Sequence, residues 1–230
     1  DTALQHFRDL LGGARREAVV TVHHSPTYRQ QTDPARMVEE ACACIRADGA
    51  SGEPDIVPTF WPDFGTVSTA RLWGGDETGA HDGGRVFIAP AARTCAELER
   101  VIPRAAPFET SDFQKAADLW RQVCARLETD QVFLRTPDFQ GPMNTLALVV
   151  DQTELMCGLY EAPDLIEWAL DRVTEVLIDR VSRLRETVGK ERVIGNIWPY
   201  VVLPDGNGVA ITQDYMPLLS PEMYERFELP

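Results

Sequence analysis

The sequence has no apolar run approaching the roughly 18 residues that a membrane-spanning helix requires. Basic residues are scarce: 22 Lys and Arg stand against 36 Asp and Glu, a formal charge of −14. That balance disfavours nonspecific contact with nucleic acid or an anionic membrane, both of which depend on basic surface. Cysteine is sparse and odd in number, with 5 in 230 residues, which fits reduced thiols better than a disulfide framework. Cys42-Ala43-Cys44 has the form of half a zinc site. No second Cys or His pair with finger-like spacing accompanies it, and residues two apart diverge on a helix, so structural thiols are expected there. There is no P-loop, GxSxG, HExxH or dinucleotide GxGxxG. Nor does a basic, apolar, small-residue series follow Asp1, so the expected location is cytoplasmic.

What is present is ordinary globular material, 44% hydrophobic and 25% charged, in which helix and strand signals alternate. Asp33 as cap and Pro34 at the first helical position open a helix over 33–47, with Met37, Val38, Ala41 and Ile45 on one face and Gly49 near its stop. "PDIVPTFW" (54–61) reads as a buried strand in which Pro58 complicates pairing. A Gly-rich excursion fills 74–84. Thr94 with Glu97, and Ser111 with Gln114, have the capping-box spacing; the second pair opens a helix carrying Phe113, Ala116, Trp120, Val123 and Leu127. "DQVFLRT" (130–136) is a further strand.

The longest periodic segment runs from Pro163 to Gly189, with Ile166, Leu170, Val173, Leu177, Val181, Leu184 and Val188 along one side. "GVAITQD" (208–214) reads as a strand, and Ser220-Pro221-Glu222 as a helix start. Strand-like runs at 18–23, 54–61, 130–136 and 208–214, each followed by helical sequence, predict a parallel sheet. No repeat or linker divides the chain, so a single α/β domain over 1–230 is expected.

His23 and His24 end the first of these runs, and alternation turns one toward each face, so at most one enters a shared pocket. Packing or surface exposure is the alternative for both. Asp214 ends the last run, where catalytic groups of α/β folds gather; a loop-capping carboxylate is the alternative. Phe60 and Trp61 serve either a core or a ligand platform.

The order of "DIVPTFWPDFGTVSTARLWGG" (55–75), "TPDFQGPMNTLALVV" (136–150), "LYEAPDLIEWALDRVTEVLI" (159–178) and "TQDYMPLLSPEMYERFELP" (212–230) resembles the uroporphyrinogen decarboxylase superfamily. Its members are (β/α)8 barrels and include cobalamin- and zinc-dependent methyltransferases. The resemblance implies a TIM-barrel fold of which this chain supplies the first half, since a whole barrel takes about 250 residues. It also implies an open sheet edge beside 208–214, which a second copy of the chain is expected to cover as a homo-oligomer. Barrel sites lie at the C-terminal ends of the strands, and this places His23, Tyr28, Phe60, Asp63, Arg135 and Gln140 as substrate-binding residues and Asp214 as a catalytic one.

Two chemistries come with the resemblance. The decarboxylases carry two arginines after the first strand, an aspartate after the second and a tyrosine in the helix after Gly-Pro. This sequence has "HHSPTYRQQ" with the single Arg29, an offset Asp63 or a mismatched Gly65, and the aliphatic Leu148 and Val149. In the methyltransferases zinc lowers the pKa of a substrate thiol, which then accepts a methyl group from a corrinoid. Their His-x-Cys pair and later Cys fall in the other half of the barrel, so zinc and corrinoid are expected of a full-length parent rather than of this chain. Methyl transfer to a thiol is the favoured expectation, with a small-molecule substrate or corrinoid as partner. Tetrapyrrole decarboxylation and a noncatalytic binding module are the alternatives.

Overall fold

The computed structural model describes residues 5, 8, 9, 12–14, 33–52, 56–75, 77–78, 87–194, 209 and 211–229. The expected strand at 18–23, together with His23, His24, Tyr28 and Arg29, lies outside them.

The helix signals that act locally produce helices where expected. Asp33 accepts a hydrogen bond from Ala35 N at 2.9 Å, and Pro34 occupies the first turn of α1 (Pro34–Ser51). The helix passes through Gly49 and closes at Gly52, whose φ of 73° supplies the left-handed turn. Met37, Val38, Ala41 and Cys42 are buried, and α1 packs on α2 (Asp112–Leu127). Cys42 is buried while Cys44 is only half-buried, as the divergence of residues two apart requires.

Neither capping box forms. The Ser111 hydroxyl donates to Phe108 O at 2.7 Å, and Gln114 Nε2 turns to Asp118 Oδ1 at 2.9 Å. Glu97 accepts from Arg93 N at 2.7 Å. Both competing partners lie within four residues, so the hydroxyl and the carboxylate satisfy a neighbouring turn instead.

The helix α3 (Pro142–Val149) and α4 (Gln152–Glu161) precede α5 (Pro163–Val188), and α5 packs across α2, α3 and α4. Its buried side includes Ile166, Leu170, Val173, Leu177, Val181, Leu184 and Val188, the stripe read from the sequence. The last helix, α6 (Pro221–Phe227), has Ser220 accepting from Met223 N at 3.3 Å. Arg226 ties it to Asp164 and Glu167 at the start of α5.

The strands are shorter than the sequence suggests. A parallel sheet of order β1-β4-β5 is formed by β1 (Thr59–Phe60), β4 (Phe133–Arg135) and β5 (Val193–Ile194). Thr59 pairs with Phe133 and Leu134 with Val193. Pro58 still accepts from Phe133 N at 2.9 Å but has no N–H to extend the ladder, so among the described residues of the expected strand at 54–61 only β1 forms.

Strand β5 was not read from the sequence, and among the described residues of the expected strand at 208–214 there is a single parallel bridge, Thr212 to Gln140. Thr212 N donates to Phe139 O at 3.1 Å, and Gly141 N to Thr212 O at 2.9 Å. The loop after β4 has therefore taken both of its ladder groups. In the Gly-rich excursion, β2 (Glu77–Thr78) pairs antiparallel with β3 (Phe87–Ile88), which follows it. The architecture is mixed α/β, mostly helical, with a small parallel sheet. Among the described residues, no helix is long and apolar enough to cross a membrane.

Candidate functional site

Three backbone segments meet beyond the C-terminal ends of β1 and β4. The first is the turn after β1, where Asp63 Oδ1 accepts from Gly65 N at 3.0 Å and Gly65 takes a φ of 80° that few other residues adopt. Arg71 Nη1 holds this turn to α2, at 2.9 Å from Phe64 O and 2.8 Å from Asp112 Oδ2. The second is β4 and its loop, contributing Arg135, Asp138 and Gln140, with Asn144 one turn into α3. The third is 212–215, brought in by the Thr212 bridge.

The Arg135 guanidinium lies 5.1 Å over the Trp61 ring and is buried, 6% exposed. A cation so placed is held by the ring's negative face as well as by carboxylates. Gln140 Nε2 donates to Asp138 Oδ1 at 2.7 Å. Asn144 Nδ2 donates to Gln140 Oε1 at 2.9 Å, to Thr212 O at 2.9 Å and, more weakly, to Asp214 Oδ2 at 3.3 Å. Asn144 Oδ1 accepts from Tyr215 N at 3.2 Å. Beneath them the Thr145 and Thr69 hydroxyls are 2.9 Å apart, joining α3 to the segment after β1. Among the described residues, Trp61 Nε1 and Thr136 Oγ1 are buried without a hydrogen-bond partner.

The electrostatics favour a bound proton. Burial pushes the Asp63 carboxyl above its ordinary value, against the opposing pull of the Gly65 N–H and the Arg135 charge. Asp138 is pushed up to about 6, first by burial, with the Gln140 bond opposing and the charges of Asp63 and Asp214 adding to the rise. Among the described residues, the Arg135 charge acts on Asp63, and the charges of Asp63 and Asp214 act on Asp138. The described cluster suits a ligand that accepts a proton or offers hydrogen-bond donors, and it repels a polyanion.

Of the residues expected from the sequence, the structure brings Asp63, Arg135, Gln140 and Asp214 together. Phe60 is 1% exposed and packed in the hydrophobic core. His23 and Tyr28 lie outside the described residues. Asp138 and Asn144 were missed, although a signal existed for one of them: Asn144 stands four residues after Gln140, the spacing that stacks side chains on one side of a helical turn. Nothing in the sequence around Asp138 distinguishes it from a solvated loop aspartate.

Among the described residues, no group of three or more His, Cys, Asp or Glu is arranged to hold a metal ion. The thiols of Cys42, Cys44, Cys95 and Cys124 are pushed up by burial. The described residues do not fit a zinc site.

No family model and no curated protein matches the chain. Among solved structures it is similar to a methyltransferase from Methanosarcina mazei, with a TM-score of 0.52 at 14% identity, over 81% of this chain and 57% of that one. The likeness is one of fold, and the chain spans little more than half the length of that methyltransferase.

Proposed function

We propose that the chain forms part of a (β/α)8 barrel of the uroporphyrinogen decarboxylase type, and that the whole protein transfers a methyl group to a thiol with the help of a corrinoid and zinc. The observation that carries the choice of chemistry is the charge at the strand ends. Among the described residues, Asp138 feels the charges of both Asp63 and Asp214, while the Arg135 guanidinium acts on Asp63. A tetrapyrrole substrate bearing many carboxylates needs several cations, each charge-assisted bond being worth roughly 1.5–3 kcal/mol. The fold likeness to a methyltransferase supports the same reading. Zinc and corrinoid enter through the sequence resemblance, and the reading assigns neither of them a ligand among the described residues.

A second reading, protonation of a substrate carbon after loss of carbon dioxide, is favoured by one observation: Asp138 retains a proton to about pH 6. The two readings separate in one pair of assays on the complete natural protein. With methylcobalamin and an aliphatic thiol, formation of the methyl thioether is the expected outcome. With uroporphyrinogen, chromatography is expected to show no loss of carboxyl groups. Decarboxylation without thioether formation would reverse the assignment, and inactivity in both assays would leave a binding role.

A further inference from the structure

We propose that Gln140 and Asn144 are positioning residues that poise Asp138 as the proton-donating group of the strand-end site. The inference rests on reading this cluster as the site. Its basis is a chain of hydrogen bonds whose direction is fixed at one end by backbone groups.

Tyr215 N can only donate, and it reaches Asn144 Oδ1 at 3.2 Å; Thr212 O can only accept, and Asn144 Nδ2 meets it at 2.9 Å. Together they leave the Asn144 amide one orientation. Nδ2 then faces Gln140 Oε1 at 2.9 Å, which makes that oxygen an acceptor and turns Gln140 Nε2 toward Asp138 Oδ1 at 2.7 Å. A flipped Gln140 would present its carbonyl to Asp138 and favour the protonated acid further. The observed orientation presents an N–H, which supports the ionised form against burial and against the two neighbouring charges.

The groups facing Asp138 come from each segment around it: Asp63 from the turn after β1, Asp214 from 212–215, and Gln140 from its own loop. Arg135, at the end of β4, acts on Asp63. Among the described residues Asp138 Oδ2 makes no hydrogen bond, which leaves that oxygen for a ligand. In the transfer, the O–H bond of Asp138 breaks, its electron pair stays on the carboxylate, and the proton bonds to a basic atom of the substrate. Gln140 Nε2 stabilises the carboxylate that results.

The test is carbon-13 titration of the aspartate carboxyls in the purified chain, with Asp138→Asn used to assign the resonance. The unsubstituted chain is expected to show Asp138 titrating near 6. Gln140→Leu removes the donor and raises that midpoint by about one pH unit, and Asn144→Leu, which frees Gln140 to rotate, raises it by less. Asp214→Asn removes a neighbouring charge and lowers it. Loss of the fold would expose Asp138 and lower its midpoint in every variant, so an upward shift in Gln140→Leu cannot come from unfolding. An ordinary carboxylate midpoint in the unsubstituted chain, or a Gln140→Leu midpoint unchanged or lowered, would overturn the proposal. Failure of the methyl-transfer assay leaves these titrations as they stand, and failure of the titrations leaves methyl transfer open.

Discussion

At Asp138 and Phe139 the backbone passes between two kinds of interior. The Phe139 ring meets that of Phe113 edge to face, with centroids 6.0 Å apart, in a core that also includes Leu146, Ile166 and Leu184 at 0% exposed. Asp138, one residue earlier, is drawn into a cluster of carboxylates and amides, and burial moves its protonation toward neutral pH. The apolar interior gains free energy from every group it removes from water. The polar one loses it for each charge it desolvates and recovers only part through Gln140, Asn144 and Arg135. A protein keeps a region of the second kind at a stability cost, and the expected return is reactivity.

The comparison can be broken most forcefully on its apolar side. Phe113→Ala removes a fully buried ring from between α2 and the loop after β4 and is expected to cost about 3–5 kcal/mol. Urea unfolding measures it, and a loss below 1 kcal/mol would mean that this core relaxes around the gap.

On the polar side the sign reverses with pH. The folded Asp138 titrates at about 6 against an ordinary 3.8, so between those values the native state binds more protons than the unfolded one. Stability therefore falls as pH rises through that window, and the full cost is present above pH 6. Asp138→Asn removes the charge and is expected to stabilise the protein by about 2 kcal/mol at pH 8, with no gain below pH 4. A stability difference that does not change with pH would show that Asp138 is not buried in this way.

Gly141 lies where the two interiors join. A Cβ there would stand 2.6 Å from Gln213 Oε1 and 2.8 Å from its Cδ. Gly141→Ala is expected to displace that side chain, weaken the Thr212 bridge and cost about 1–2 kcal/mol. Faster hydrogen exchange at Thr212 N, with α5 amides unchanged, would localise the effect. The smallest expected change tests neither interior: Asp33→Ala removes the cap of α1 and costs about 1 kcal/mol, a baseline against which the other variants are read.

The sequence by itself determined the elements whose causes are local. The stripe from Ile166 to Val188, the Asp33-Pro34 start and the Ser220-Pro221 start were legible because helix faces and caps depend on residues within about four positions of one another. The same local rule misled at Ser111 and Glu97, where a neighbouring turn competed for the same groups. Strand extents were overread, and β5 was missed, because a ladder exists only where a distant partner offers its backbone. Thr212 found the loop at Phe139 and Gly141 rather than another strand.

The site divides in the same way. Asp63, Arg135, Gln140 and Asp214 could be chosen from their places at expected strand ends. The importance of Asp138 could not, because its protonation follows from desolvation and from charges on other segments. Asn144 meets Asp214 across 70 residues of chain. Only the tertiary structure brings those groups close enough, in a medium of low enough dielectric constant, to push Asp63 and Asp138 above the ordinary carboxylate range.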